Sequence, residues 1–308
     1  MGLLRNRLGE VVDPVLRSPL PKSSIASLKP RTLRERLSRG SVEWSEDLKR
    51  IIDLQRRPVP DLPAIVKELT SRLKTPLGTQ TLRPHQAWCL WEAPQVNGVF
   101  GQLSVGSGKT LMGLLMPMVM PCPPRQKGKE NDPLRAVLFI PPSLRAQLFE
   151  HDWDFYGQHW QLPNLAGGKT FKAGLPILHV VAYSELSSRK ATQLLERIQP
   201  DLIIADEVHL LKRRASSKTV RFLRYYEAFS DTMFCGWSGT VTSKGIGDYA
   251  HLAAIALGEG SPLPIETRAV EQWAMALDPS DNFMFDAGKL RELCHPGEAP
   301  RDGFRRRL

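Results

Sequence analysis

The sequence predicts an α/β fold: a mostly parallel sheet with helices on both faces. Three observations predict it. Short apolar runs alternate with stretches of helical periodicity between about residues 98 and 237. The runs are continuous rather than alternating in polarity, as in strands covered on both sides. Two polar segments, 103–110 and 206–209, fall where such runs end, and open parallel sheets bind ligands at the carboxyl ends of their strands.

The elements follow in order. Leu62–Leu73 carries apolar residues at helical spacing, and a second helix is expected over Pro84–Glu92, with the proline in its first turn. Gly98–Leu103 reads as a strand and Thr110–Val119 as a helix. Ala136–Pro141, Ile177–Ala182, Asp201–Ala205 and Thr232–Trp237 read as further strands, with helices over Ser143–Trp153 and Ser184–Ile198. Pro121–Pro133 is rich in Pro, Lys and Gly and reads as an exposed loop. Residues 1–60 hold many prolines and arginines and read as a basic, partly disordered extension, with Arg31–Arg39 a candidate short basic helix. Residues 61–264 form the expected α/β lobe. In 265–308 periodicity weakens, and Arg301 and Arg305–Arg307 read as solvated charge in a tail.

The 308 residues are 42% hydrophobic and 24% charged, ordinary values for a globular chain, with a formal net charge of +10. A surplus of that size points to a polyanionic partner, nucleic acid first. The four cysteines form no C-x-x-C pair, which argues against zinc or a disulfide framework and for a reducing, cytoplasmic setting. The longest greasy run, Leu111–Met120, is too short to span a membrane and is broken by Gly113 and Pro117, so no membrane partner is expected. No secretion signal is apparent at the N-terminus.

Leu103-Ser-Val-Gly-Ser-Gly-Lys-Thr110 follows an apolar strand and opens a helix. Glycines there let backbone N–H groups turn inward around phosphate oxygens, and the helix N-terminus adds positive potential. Val105, Gly106, Ser107, Gly108, Lys109 and Thr110 are the expected nucleotide-binding residues. Lys109 would reach the β- and γ-phosphates and Thr110 would offer its hydroxyl to magnesium. Leu103 stands where the general pattern has glycine.

Asp201-Leu-Ile-Ile-Ala-Asp-Glu-Val-His209 is an apolar strand ending in two carboxylates. Magnesium prefers oxygen ligands and keeps several waters, so Asp206 is the expected metal ligand. Glu207 would orient and deprotonate the attacking water. The spacing from Lys109 leaves room for two intervening strand–helix units. Together Lys109, Asp206 and Glu207 form the expected catalytic set, acting on ATP with Mg2+.

These segments resemble, in order, the motifs of superfamily 2 helicases and translocases of the Asp-Glu-x-His type. Leu82-Arg-Pro-His-Gln86 looks like the motif whose glutamine reads adenine, and Val105–Thr110 like motif I. Val137–Leu144 looks like motif Ia, which implies that Pro141, Pro142 and Ser143 contact the nucleic-acid backbone. Asp206–His209 looks like motif II, with the weight of His209 coming from its place in that string. Ser238-Gly239-Thr240 looks like motif III, which couples nucleotide state to nucleic-acid binding. The spelling is closest to the Swi/Snf branch, of a phage or bacterial type, where the first motif I position is also not glycine. The resemblance covers roughly Leu82 to Leu263 and implies a RecA-like P-loop lobe, ATP and Mg2+ as cofactors, and DNA more than RNA as partner.

Motors of this kind use two such lobes. The residues after motif III are too few for the second, so a separately encoded second-lobe protein is an expected partner, and weak hydrolysis without it. The setting implied is the bacterial, or phage-infected, cytoplasm. Two other readings share these motifs: a viral DNA-packaging ATPase lobe, or a non-catalytic module that binds ATP and nucleic acid.

Overall fold

The computed structural model describes residues 4–5, 11–12, 39–55, 58–123, 132–239, 245–277 and 284–307. Thr240, most of the basic extension, most of the Pro-rich loop and residues 31–38 of the candidate basic helix lie outside them. The chain falls into two compact units. One is built on the described residues of 58–241 with the short strand pair Leu4–Arg5 and Val11–Val12. The other is built on the described residues of 15–57 and 242–308.

The first unit holds a six-stranded sheet. Its strands are β1 Gly98–Gln102, β2 Arg135–Ile140, β3 Asn164–Leu165, β4 Ile177–Ala182, β5 Leu202–Asp206 and β6 Met233–Ser238. Their order is β1-β6-β5-β2-β4-β3. Every neighbour pair is parallel, which sharpens the expected "mostly parallel" and confirms the α/β class. All carboxyl ends therefore lie along one edge. The central strands β5 and β6 are buried throughout, as their continuous apolar sequences require of strands covered on both faces.

Alternation along the strands assigns the two faces. Leu138, Leu202, Ile204, Cys235 and Trp237 share one core with residues of α1 (Leu62–Leu73), α2 (Pro84–Val96) and α3 (Lys109–Val119). On the other face Phe234 meets Phe222 of helix Ser217–Ala228, with ring centroids 5.1 Å apart.

Local chemistry sets the helix bounds. Asp61 caps α1, accepting from Ala64 N–H at 3.2 Å, with Pro63 in the first turn. α2 runs past the expected Glu92 and through Pro94, and stops where Asn97 turns left-handed and its N–H bonds Ala93 O. The helix expected over Ser143–Trp153 continues to His159 through a π-turn at Leu148–Asp152. The single helix expected over Ser184–Ile198 is instead three short turns. Ser188 breaks it: its backbone is extended and its hydroxyl accepts from Lys190 N–H at 3.3 Å.

The second unit pairs strands Arg39–Ser41 and Met284–Asp286 in parallel. It adds helices Glu46–Asp53, Ala250–Leu257, Thr267–Leu277 and Pro300–Arg307. Asp47 and Arg50 gather one loop of it. Asp47 Oδ2 accepts from Ile265 and Glu266 N–H at 3.0 and 2.8 Å, and Arg50 donates to Ser261 O and Leu263 O at 2.6 and 2.9 Å. Part of the expected disordered extension is thus ordered. The expected tail of solvated arginines is a helix in which Arg306 pairs with Glu298 at 3.1 Å and donates to Leu293 O. Among the described residues no helix is long and apolar enough to cross a membrane.

Candidate active site

Three neighbouring strands deliver the predicted residues to one place in the first unit. β1 leads into the loop 103–108, β5 into Asp206–Glu207, and β6 into Ser238–Gly239, with β6 lying between the other two. Leu103 N–H bonds Ser238 O at 3.0 Å, tying the loop to the end of β6. A Cβ built on Gly239 would stand 3.8 Å from Lys109 Nζ.

The loop owes its turn to Gly106 and Gly108, with φ of 80° and 77°, a region L side chains enter only at a cost. Around Gly106 there is open space: a Cβ there would meet nothing within 4 Å. Ser107 N–H and Oγ both donate to Ser104 O, at 3.3 and 2.7 Å. Val105 is 91% exposed. Lys109 and Thr110 begin α3, so their N–H groups are among those a helix start leaves without intrahelical partners.

The acid corner is a network. Lys109 Nζ lies 3.1 Å from Glu207 Oε1 and 3.3 Å from Leu103 O. Ser238 Oγ donates to Glu207 Oε2 at 2.9 Å. His209 Nδ1 lies 2.8 Å from Ser238 Oγ and 3.1 Å from Glu207 Oε2. With the serine hydroxyl donating to Glu207, a His209 tautomer protonated at Nδ1 completes the network by donating to Ser238 Oγ. Glu207 itself is left-handed, with φ 55°, a backbone conformation that costs a non-glycine residue about 1 kcal/mol.

The two carboxyls are pushed in opposite directions. Burial, then the charge of Glu207, pushes the Asp206 carboxyl up to about 6; Lys109, the Glu207 N–H and the Trp237 indole resist that rise. Burial also works against ionising Glu207, but the Lys109 ammonium and the Ser238 hydroxyl more than offset it and hold its carboxyl below the usual range. Tyr183, fully buried, donates from its hydroxyl to Asp206 O at 2.9 Å and fixes the strand end from behind.

The residues fit the nucleotide and metal that the sequence led us to expect. A glycine-lined cradle at a helix start suits phosphate oxygens. Among the described residues no three His, Cys, Asp or Glu side chains converge on a metal position. Asp206 offers a buried oxygen donor at a strand end, and an ion that keeps most of its waters, as Mg2+ does, needs few protein ligands.

Pro141, Pro142 and Ser143 follow β2 at the same sheet edge, with Pro142 and Ser143 exposed. Gln86 occupies a place sequence did not foretell. It is 4% exposed, its amide NH2 donates to Ser107 O at 2.9 Å, and its amide oxygen accepts from Arg83 N–H at 2.9 Å. Arg83 and His85, which sequence reasoning passed over, also touch the loop: Arg83 Nη1 donates to Gly106 O at 2.8 Å and His85 Nε2 lies 2.9 Å from Ser107 O. The only sequence signal for these two was their place in Leu82-Arg-Pro-His-Gln86.

No family model and no curated protein matches the chain. Among solved structures it is similar to the SWI2/SNF2 ATPase core of Sulfolobus solfataricus in complex with dsDNA, with 16% identity and a TM-score of 0.42 over 60% of this chain. The chain spans 37% of that protein's length in the structure.

Proposed function

We propose that the chain is the ATP-binding lobe of a nucleic-acid-dependent ATPase of the translocase kind. The observation that carries the reading is the convergence of Lys109, Asp206, Glu207 and Ser238 at the carboxyl ends of three adjacent parallel strands, with Lys109 Nζ 3.1 Å from Glu207 Oε1. In this reading the loop N–H groups and Lys109 bind the polyphosphate, and Asp206 and Thr110 hold Mg2+. Bound Mg2+ neutralises charge on the phosphoryl oxygens. Lys109 has two competing anions to serve. As it turns to phosphate it releases Glu207, whose freed carboxylate orients a water and takes its proton. Ser238 and His209 touch that same carboxylate, so a shift of Ser238 at the end of β6 would reach the base directly. The net charge of +10 and the exposed Pro142–Ser143 turn support nucleic-acid backbone as the partner.

The test is steady-state phosphate release from Mg-ATP with and without duplex DNA, beside equilibrium ATP binding, for the chain, Lys109→Ala and Glu207→Gln. DNA-stimulated release that both substitutions abolish is the expected result. Binding that requires Lys109 but no release would favour a non-catalytic module or a half-site completed by another chain. No binding at all would sink the proposal.

A further inference from the structure

We propose that Arg83, His85 and Gln86 are positioning residues that brace the phosphate loop from outside, so that Gln86 serves the polyphosphate and not the adenine base. The inference rests on the nucleotide-binding reading above and narrows it: the lobe recognises the triphosphate, and Gln86 contributes no preference for adenine over guanine.

The geometry is specific. Gln86 is the third residue of α2, and a glutamine there can reach back to the N-cap N–H, as it does to Arg83 at 2.9 Å. That contact turns the amide NH2 toward the loop, where it donates to Ser107 O at 2.9 Å. His85 Nε2 reaches the same oxygen at 2.9 Å, and against a carbonyl it must carry the proton. Both lone pairs of Ser107 O are then used. Arg83 Nη1 takes the preceding carbonyl, Gly106 O, at 2.8 Å. A trans peptide points its N–H opposite to its C=O. Pinning Ser107 O toward α2 therefore turns Gly108 N–H the other way, into the open cradle. Both ends of the Gln86 amide are engaged, and the side chain is 4% exposed. Reading a base would break two hydrogen bonds and unpin the loop.

The test uses the full chain and three probes with Mg2+: ATP, GTP and inorganic tripolyphosphate, the last having no base. Calorimetry reads both affinity and the fraction of binding-competent chain. Gln86→Ala is expected to weaken all three by a common factor of about ten, the worth of one hydrogen bond to a loop that must hold its shape, with stoichiometry unchanged. Loss of competent chain alone would mean a merely structural role and overturns the proposal. So would a loss confined to ATP, which is the signature of a base reader, and so would no loss on any probe. If Gln86→Ala does not fold, His85→Phe carries the test: it removes the second donor to Ser107 O, leaves Gln86 in place, and should weaken all three about threefold. A wild-type chain that binds none of the probes would instead refute the nucleotide-binding reading itself.

Discussion

The loop after β1 and the corner after β5 face the same space and are shaped by different means. The loop is backbone held from outside. Its carbonyls are pinned by side chains of α2, its turn depends on two glycines, and Val105 stands 91% exposed over it. The corner is side chains held from within. Asp206 is 3% exposed, Tyr183 ties its carbonyl, and Glu207 is gripped by Lys109, Ser238 and His209. The loop offers donors that carry no formal charge and cannot be titrated. The corner offers charges, and charges can be traded or protonated. A site that must bind a polyanion and then act on water needs both. The loop should therefore fail when a Cβ is added, and the corner when a charge is changed.

Gly108→Ala should produce the largest effect. Its φ of 77° strains an alanine, and the new Cβ would lie 2.2 Å from Gln86 Nε2. Gln86 can yield only by giving up Ser107 O. Nucleotide affinity should fall by about fiftyfold, the fivefold of about 1 kcal/mol of strain times the roughly tenfold loss of the brace. Retention of affinity within a few-fold, measured by calorimetry, would show that the loop does not depend on this contact.

Asp206→Asn should break the corner in the opposite sense, removing function but adding stability. The Asp206 carboxyl is pushed up from 3.8 to about 6 in the fold. Below about pH 4 folded and unfolded chains both hold the proton, and the aspartate costs nothing extra. As pH rises toward 6 the unfolded chain ionises first, so wild-type stability falls; above 6 the penalty is complete. In EDTA at about pH 8 the asparagine variant should be more stable by roughly 1–3 kcal/mol, a gain that disappears near pH 4. Denaturant melts at the two pH values decide it, and a gain independent of pH would assign the effect to packing.

Tyr183→Phe is expected to cost about 1 kcal/mol of stability, the worth of one buried hydrogen bond to Asp206 O. Nucleotide affinity should change less than threefold, because the hydroxyl supports the strand end from behind. A larger loss of affinity than of stability would move Tyr183 into the binding machinery.

The same division explains what was legible in the sequence. The strands other than β3 were readable because each is a mostly apolar run, interrupted in β4 only by His179. β3 has two residues, and its position depends on Asn164 holding Lys172 by N–H and C=O at 2.7 and 2.8 Å, a contact no periodicity encodes. Lys109, Asp206 and Glu207 were legible because their chemistry sits in short contiguous strings. The brace on the loop was not, because it depends on which way the first turn of α2 faces. The second unit was hidden for a related reason. Its Asp47–Arg50 clamp closes across more than 200 residues, and the buried stripe Ala269, Trp273, Leu277 lies in a helix so short that its four-residue spacing repeats only twice.

Gly106→Ala is the control that sharpens the contrast, and its effect should be well below that of Gly108→Ala. Gly106 has φ 80°, close to the 77° of Gly108, yet a Cβ there would meet nothing within 4 Å. Strain is then the only penalty, about 1 kcal/mol, or roughly fivefold in nucleotide affinity. The difference between the two alanines isolates the contact with Gln86 from the cost of the backbone angle. Their combination with Gln86→Ala should separate further. With the amide gone, the new methyl group has room, so Gly108→Ala in the Gln86→Ala background should lose only about the fivefold that Gly106→Ala loses. Gly106→Ala has no shared atom with Gln86 and should add its factor unchanged. If the Gly108 and Gln86 effects instead multiply, the glycine is needed for its angle alone, and the loop is shaped by its own sequence rather than by the helix beside it.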